Sequence, residues 1–235
     1  MPSRIRIEIT ASDSVTALVY AAAPRQRAGI GVLLAHGAGG NQMSPFMVEF
    51  ATGLAERGID AVTFNFVYSE ARRRLPDRND KLEACWRAVI AAARTGALGA
   101  EIARGTLTIG GKSMGGRIAS QVVAAGAEGI AGLVLLGYPL HPPGRPEQLR
   151  IAHLPAISVP MLIVQGERDA FGTPDELRPV LGKLKAKAEF YVVEGGDHSF
   201  KLPKAAGCPQ AQVHARVLDE IERWLRAAVG TERRS

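Results

Sequence analysis

Short apolar runs alternate along this chain with longer stretches in which apolar positions recur at helical spacing. The first kind marks strands and the second amphipathic helices. Two segments near 4–10 and 15–21 alternate polar and apolar residues and predict an antiparallel pair of strands. Residues 30–35 are apolar throughout and predict a strand buried on both faces. Further strands are predicted at 59–66, 105–110, 129–136, 161–165 and 189–193. Helices are predicted at 44–57, 80–94, 116–125 and 209–228, with another starting near Pro174. Ser44 stands as N-cap and Pro45 as first residue of the first of these, and Gly58 ends it. Leu82, Cys85, Trp86 and Val89 give the helix at 80–94 one apolar side. Strands alternating with helices predict an α/β fold: a mostly parallel, doubly wound sheet with helices on both faces. Residues 137–160 break the pattern. This coil holds Pro139, Pro142, Pro143, Pro146 and Pro155 and leaves no room for a large lid.

Composition narrows the class. With 235 residues, 46% hydrophobic and 22% charged, the chain can bury one good core, so residues 1–235 are expected to form a single domain. No apolar run is long enough to span a bilayer, and no membrane partner is expected. The first ten residues alternate polar and apolar and lack the apolar centre of a signal peptide, which points to a cytoplasmic protein. Cys85 and Cys208 lie far apart in no metal-type spacing and read as reduced thiols, although the sequence leaves a pairing open. No metal and no cofactor are expected. The net charge of +6 raises the question of nucleic acid, but the basic residues are spread out and only Arg72-Arg73-Arg74 forms a run. Without aromatic residues interleaved among them, they read as a solvated surface, and no nucleic-acid partner is expected.

The strongest chemical signal is Gly111-Lys112-Ser113-Met114-Gly115, set between a predicted strand and a predicted helix. G-x-S-x-G on a strand-to-helix turn is a nucleophile elbow. The turn is tight, so a Cβ two residues before or after the serine would collide with the neighbouring strand or helix. The competing motif, a phosphate-binding loop ending in Gly-Lys-Ser, requires glycine where this chain has Thr106. The residues between look like strand, so the elbow is the better reading.

In a doubly wound sheet, the loops at the carboxyl ends of the parallel strands share one edge. After the strand at 30–35 comes His36-Gly37-Ala38-Gly39-Gly40, suited to an oxyanion hole built from the backbone N–H groups of Ala38 and Met114. His36 itself reads as structural. After the strand at 161–165, Asp169 is the candidate acid, with Glu167 and Asp175 as alternatives. After the last strand, Gly195-Gly196-Asp197-His198 presents His198 as the base. His141, His153 and His214 lack this context. The chain order Ser113, Asp169, His198 is that of the α/β-hydrolase triad.

The chain resembles an α/β-hydrolase over nearly its whole length. The segments 110–117, 137–144 and 195–200 resemble a small-hydrolase family related to dienelactone hydrolases. That family includes bacterial proteins of uncertain substrate and a eukaryotic subunit of a histone-acetyltransferase complex. The resemblance implies a lidless α/β-hydrolase fold and carries over Ser113, Asp169 and His198 as a triad. Dienelactone hydrolases use a cysteine where this chain has Ser113, so their substrate does not transfer.

The expected activity is that of a serine hydrolase on a small ester or similar acyl substrate. The competing reading is a binding or scaffold protein that keeps the fold without turnover. Tyr138 and Leu140 are expected to wall the site. Arg72, Arg73, Arg74 and Arg145, with Lys112 and Arg168, are expected to make its mouth electropositive and to suit an anionic substrate. The sequence carries no signal for oligomeric state.

Overall fold

The computed structural model describes residues 1–230. In chain order the elements are β1 (Ser3–Glu8), β2 (Ser14–Tyr20), β3 (Ile30–Ala35), α1 (Pro45–Glu56), β4 (Asp60–Phe64), α2 (Val67–Glu70), α3 (Asn79–Arg94), α4 (Ala100–Arg104) and β5 (Thr106–Lys112), and then α5 (Met114–Ala124), β6 (Ile130–Leu136), β7 (Met161–Gly166), α6 (Pro174–Leu181), β8 (Ala188–Val193) and α7 (Gln210–Trp224). The eight strands form one sheet in the order β1-β2-β4-β3-β5-β6-β7-β8. β1 and β2 pair antiparallel, as does β2 with β4, and every other pair is parallel. This is the doubly wound, mostly parallel arrangement that the strand–helix alternation predicts.

Both faces of the sheet are covered. α1 and α7 close one face through Phe50, Leu54, Val217, Ile221 and Trp224. α3, α5 and α6 close the other through Trp86, Val89, Ile118, Val122 and Leu177. The central strands therefore need apolar residues on both sides, which is why 30–35 reads as a continuous apolar run. Parallel pairing sets Ala35 beside Gly111, Lys112 beside Leu136 and Gly166 beside Val193. The carboxyl ends of β3, β5, β6, β7 and β8 are thereby level, and their loops gather at one edge.

Several boundaries differ from the sequence reading. α2 and α4 are absent from it. The strand predicted to reach residue 66 ends at Phe64, with one further bond to β2 from the Asn65 amide to the Thr16 carbonyl. Ser44 occupies the N-cap position of α1, but its Oγ accepts from the Asn41 amide at 3.0 Å instead of capping the helix. Residues 137–160 carry no inserted lid, only a single 3₁₀ turn at Leu154–Ala156. Among the described residues, no helix is long and apolar enough to cross a membrane. Cys85 is buried and Cys208 half-buried, both as free thiols.

Candidate active site

Ser113 sits on the link between β5 and α5 with φ 51° and ψ −118°. A non-glycine residue at this φ stores roughly 1–3 kcal/mol of backbone strain. Its amide donates to the Leu136 carbonyl at 2.9 Å, which pins the turn to β6. The flanking glycines are required by close approach. A Cβ on Gly111 would lie 2.1 Å from the Ala35 carbonyl oxygen, and one on Gly115 would lie 2.3 Å from the same atom.

Three loops bring three side chains together. His198 Nε2 lies 2.8 Å from Ser113 Oγ, and His198 Nδ1 lies 2.7 Å from Asp169 Oδ2. With the proton on Nδ1 donated to the carboxylate, Nε2 is left to accept from the serine hydroxyl. Asp169 is buried at 1% exposure. It also accepts from Gln165 Nε2 at 2.8 Å and from the Phe171 amide at 2.8 Å. The other two acids considered lie elsewhere: Glu167 accepts from the Gly195 amide, and Asp175 stands in the first turn of α6. His141, His153 and His214 are bonded instead to Glu176, Ser120 and Gln210.

Some supporting residues escape a reading of the sequence. Gln165 closes an otherwise apolar strand and is fully buried. Its amide bonds both the N–H and the carbonyl of Tyr138, the Asp169 carboxylate and the Gly172 carbonyl, tying the loop after β6 to the loop after β7. A polar side chain ending a buried apolar run was the available signal. Phe171 packs on the imidazole of His198 with ring centroids 4.2 Å apart. Lys112, flanking the nucleophile, is buried with its ammonium 5.7 Å from the centre of the Phe46 ring and 5.6 Å from that of Phe200. Its Nζ donates to the His198 carbonyl. Burial pushes its pKa down to about 8, partly countered by the charges of Asp169 and Asp197.

The loop after β3 is equally fixed. His36 Nδ1 lies 2.8 Å from the Gly37 carbonyl, and Nε2 accepts from the Phe66 amide at 3.3 Å. Burial lowers the His36 pKa to about 4, so the ring is neutral and structural. The Tyr68 hydroxyl donates to the Ala38 carbonyl at 2.9 Å. Met114 is the first residue of α5, so its N–H has no partner within the helix. Ala38 and Met114 both line a cavity of about 570 Å³ that also exposes Ser113 and His198.

The expected walls and rim need correction. Tyr138 and Leu140 are buried in the core and do not line the cavity. Tyr138 instead sends its hydroxyl to the Arg150 carbonyl at 2.6 Å, and Leu140 accepts the Arg150 amide at 2.8 Å. Arg72, Arg73 and Arg74 are exposed and lie off the cavity, and Arg73 is paired with Asp77 at 2.6 Å. Arg145 is exposed in a turn closed onto the Pro142 carbonyl. Arg168 donates to the Gly195 carbonyl. The cations that do line the cavity are Lys112, Arg117 and Arg150. Among the described residues, no group of three or more His, Cys, Asp or Glu side chains is placed to hold a metal ion.

Comparison with known proteins adds to this geometry. Residues 28–226 match the model of a family described as an alpha/beta hydrolase domain. A dienelactone hydrolase from Anabaena variabilis is 17% identical with a TM-score of 0.74, over 97% of this chain and 98% of its own. An alpha-beta serine hydrolase homologue from Coxiella burnetii is 18% identical with a TM-score of 0.73, over 93% of this chain and 96% of its own. A serine hydrolase without lid from Xanthomonas campestris is 19% identical with a TM-score of 0.69, over 97% of this chain and 93% of its own. At these identities the likeness is one of fold.

Proposed function

This chain belongs to the alpha/beta hydrolase family, and we propose that it is a serine hydrolase that cleaves carboxylic esters through an acyl-enzyme on Ser113. The observation that carries this reading is the unbroken hydrogen-bonded chain from Ser113 Oγ through His198 to the buried carboxylate of Asp169. The Ser113 hydroxyl attacks the ester carbonyl carbon while His198 Nε2 takes its proton. Asp169 holds the Nδ1–H tautomer and stabilises the imidazolium as it forms. The carbonyl oxygen becomes an oxyanion facing the N–H groups of Ala38 and Met114, and each such donor is worth about 10²–10³ in rate. His198 returns the proton to the departing alcohol. Water, deprotonated by the same imidazole, then releases the carboxylic acid and regenerates Ser113.

Each part has its support outside the triad. The strained Ser113 backbone lifts the hydroxyl from the sheet, Phe171 holds the imidazole, and Gln165 holds the acid. A purely binding role would leave this alignment unused. We read residues 1–235 as one domain, because the segments that supply the site are all loops of the same sheet.

The test is covalent. A fluorophosphonate probe should label Ser113 in the folded protein, and Ser113→Ala should lose both labelling and at least a thousandfold of kcat on 4-nitrophenyl butyrate (roughly the range that triad removal gives). Alanine should leave the thermal midpoint close to that of the parent. An alanine protein that hydrolyses the ester as fast as the parent would end this reading.

A further inference from the structure

Two of the cations that line the cavity have no anionic partner. Arg117 lies four residues after Ser113 on α5, about 6 Å further along the helix axis. Its amide donates to the Ser113 carbonyl at 3.0 Å, so its position is set by the elbow itself. Arg150 comes from the Pro-rich segment, where the Tyr138 hydroxyl and the Leu140 carbonyl hold its backbone. Among the described residues, neither guanidinium forms an ion pair. Their hydrogen bonds are long and go to neutral oxygens. Arg117 donates to Gln121 at 3.3 Å and to Asn79 at 3.4 Å, and Arg150 donates to the Pro139 carbonyl at 3.5 Å.

The neighbourhood supplies no strong compensation. Burial, followed by the charge of Arg150, lowers the Arg117 pKa, so the two like charges act on each other. His153, also nearby, is held neutral with a pKa pushed down to about 4, first by burial and then by Arg117. Glu83 attracts Arg117 but does not reach ion-pair distance. Asp77, which also lines the cavity, is engaged by Arg73 and by the Tyr68 amide. Two partly buried guanidinium groups on one cavity repel each other, and an anion that reaches both removes that cost.

We propose that Arg117 and Arg150 form an anion subsite that takes a carboxylate borne by the substrate while its ester carbonyl lies at Ser113. This rests on the serine-hydrolase reading and makes the substrate class a half-ester of a short dicarboxylic acid. The guanidinium fork matches the two oxygens of a carboxylate, whereas an ammonium would offer a point charge. Hydrolysis adds water across the ester bond and releases an alcohol and a dicarboxylate, whose distal carboxylate occupies the same subsite.

The experiment compares monomethyl succinate, glutarate and adipate with their dimethyl diesters, following methanol release, with 4-nitrophenyl butyrate as a neutral reporter. At low salt, kcat/KM should favour one of the half-esters by about tenfold or more, and the preference should shrink at 0.5 M salt, an ionic strength chosen to bring the Debye length to roughly 4 Å. Arg150→Gln and, separately, Arg117→Gln should cut the half-ester to diester ratio about tenfold to a hundredfold, the range expected for a lost charge-assisted bond. Arg145→Gln should keep it, because that side chain lies off the cavity. Glutarate binding, measured by calorimetry on the Ser113→Ala protein, should be lost on adding Arg150→Gln.

Turnover of 4-nitrophenyl butyrate with no half-ester preference and no glutarate binding would overturn the subsite and leave the hydrolase reading standing. Glutarate binding that depends on Arg150, in a protein that hydrolyses no ester and takes no fluorophosphonate, would support the subsite and overturn the hydrolase reading. A preference lost equally in Arg145→Gln would overturn it in favour of general surface charge. Inorganic phosphate binding more tightly than glutarate would overturn the carboxylate assignment.

Discussion

Lys112 places an ammonium against the rings of Phe46 and Phe200, directly beside the nucleophile, and that burial has a pH signature. Its folded pKa of about 8 lies below the roughly 10.4 of an unfolded lysine. Below the lower value both states are protonated, and the full cost of the buried charge is present. Between the two values the unfolded chain holds more protons, so stability rises with pH across that window. Urea unfolding at several pH values should therefore show the parent gaining on Lys112→Met by on the order of 3 kcal/mol between about pH 8 and 10.5. A difference that stays flat with pH would mean that the ammonium is not desolvated. Ser113, Asp169 and His198 are legible in the sequence because glycine content, strand ends and chain order all point to them. Arg117, Arg150, Phe171 and Gln165 are not. Their roles depend on where a side chain lands once loops have folded, and no spacing along the chain encodes that.

The strands and the long helices are readable because burial on one face or both leaves a period in the sequence. α2 and α4, four and five residues long, are too short to show one. Ser44 misleads for a different reason: its hydroxyl has a local competitor, the Asn41 amide, for the same lone pair. The β5–α5 elbow is the least tolerant element. A methyl group at position 115 would meet the carbonyl oxygens of Ala35 at 2.3 Å and His36 at 2.7 Å, both backbone atoms that cannot swing aside. Gly115→Ala should cost about 3 kcal/mol or more, at the upper end of overpacking effects. A drop in the urea midpoint together with lost fluorophosphonate labelling is the expected result, and a midpoint matching the parent would contradict the packing described.

At the scale of the whole molecule, the sheet brings loops from residues 36–40, 113–117, 165–172 and 195–200 to one edge, and nothing is inserted above them. The cavity over Ser113 is open and of modest size, about 570 Å³. Acyl chains that outrun it gain no further contact, so 4-nitrophenyl butyrate should turn over faster than the palmitate ester, with no jump in rate as substrate passes its micellar threshold. Faster cleavage of palmitate would show that a cover forms in solution. The level of the sheet edge was foreseeable from topology, but the placement of the basic rim was not, since topology says which edge a loop leaves from and not which way its arginines turn. Residues 145–149 are exposed, whereas residues 110–116 are locked into backbone on several sides. Mutational drift has a free run at the first and meets a ratchet at the second. Within the Pro-rich segment, Pro139 and Arg150 are the residues that line the cavity, so changes there would alter its wall and leave the elbow as it is. A library aimed at new selectivity belongs in that segment, with the elbow left untouched.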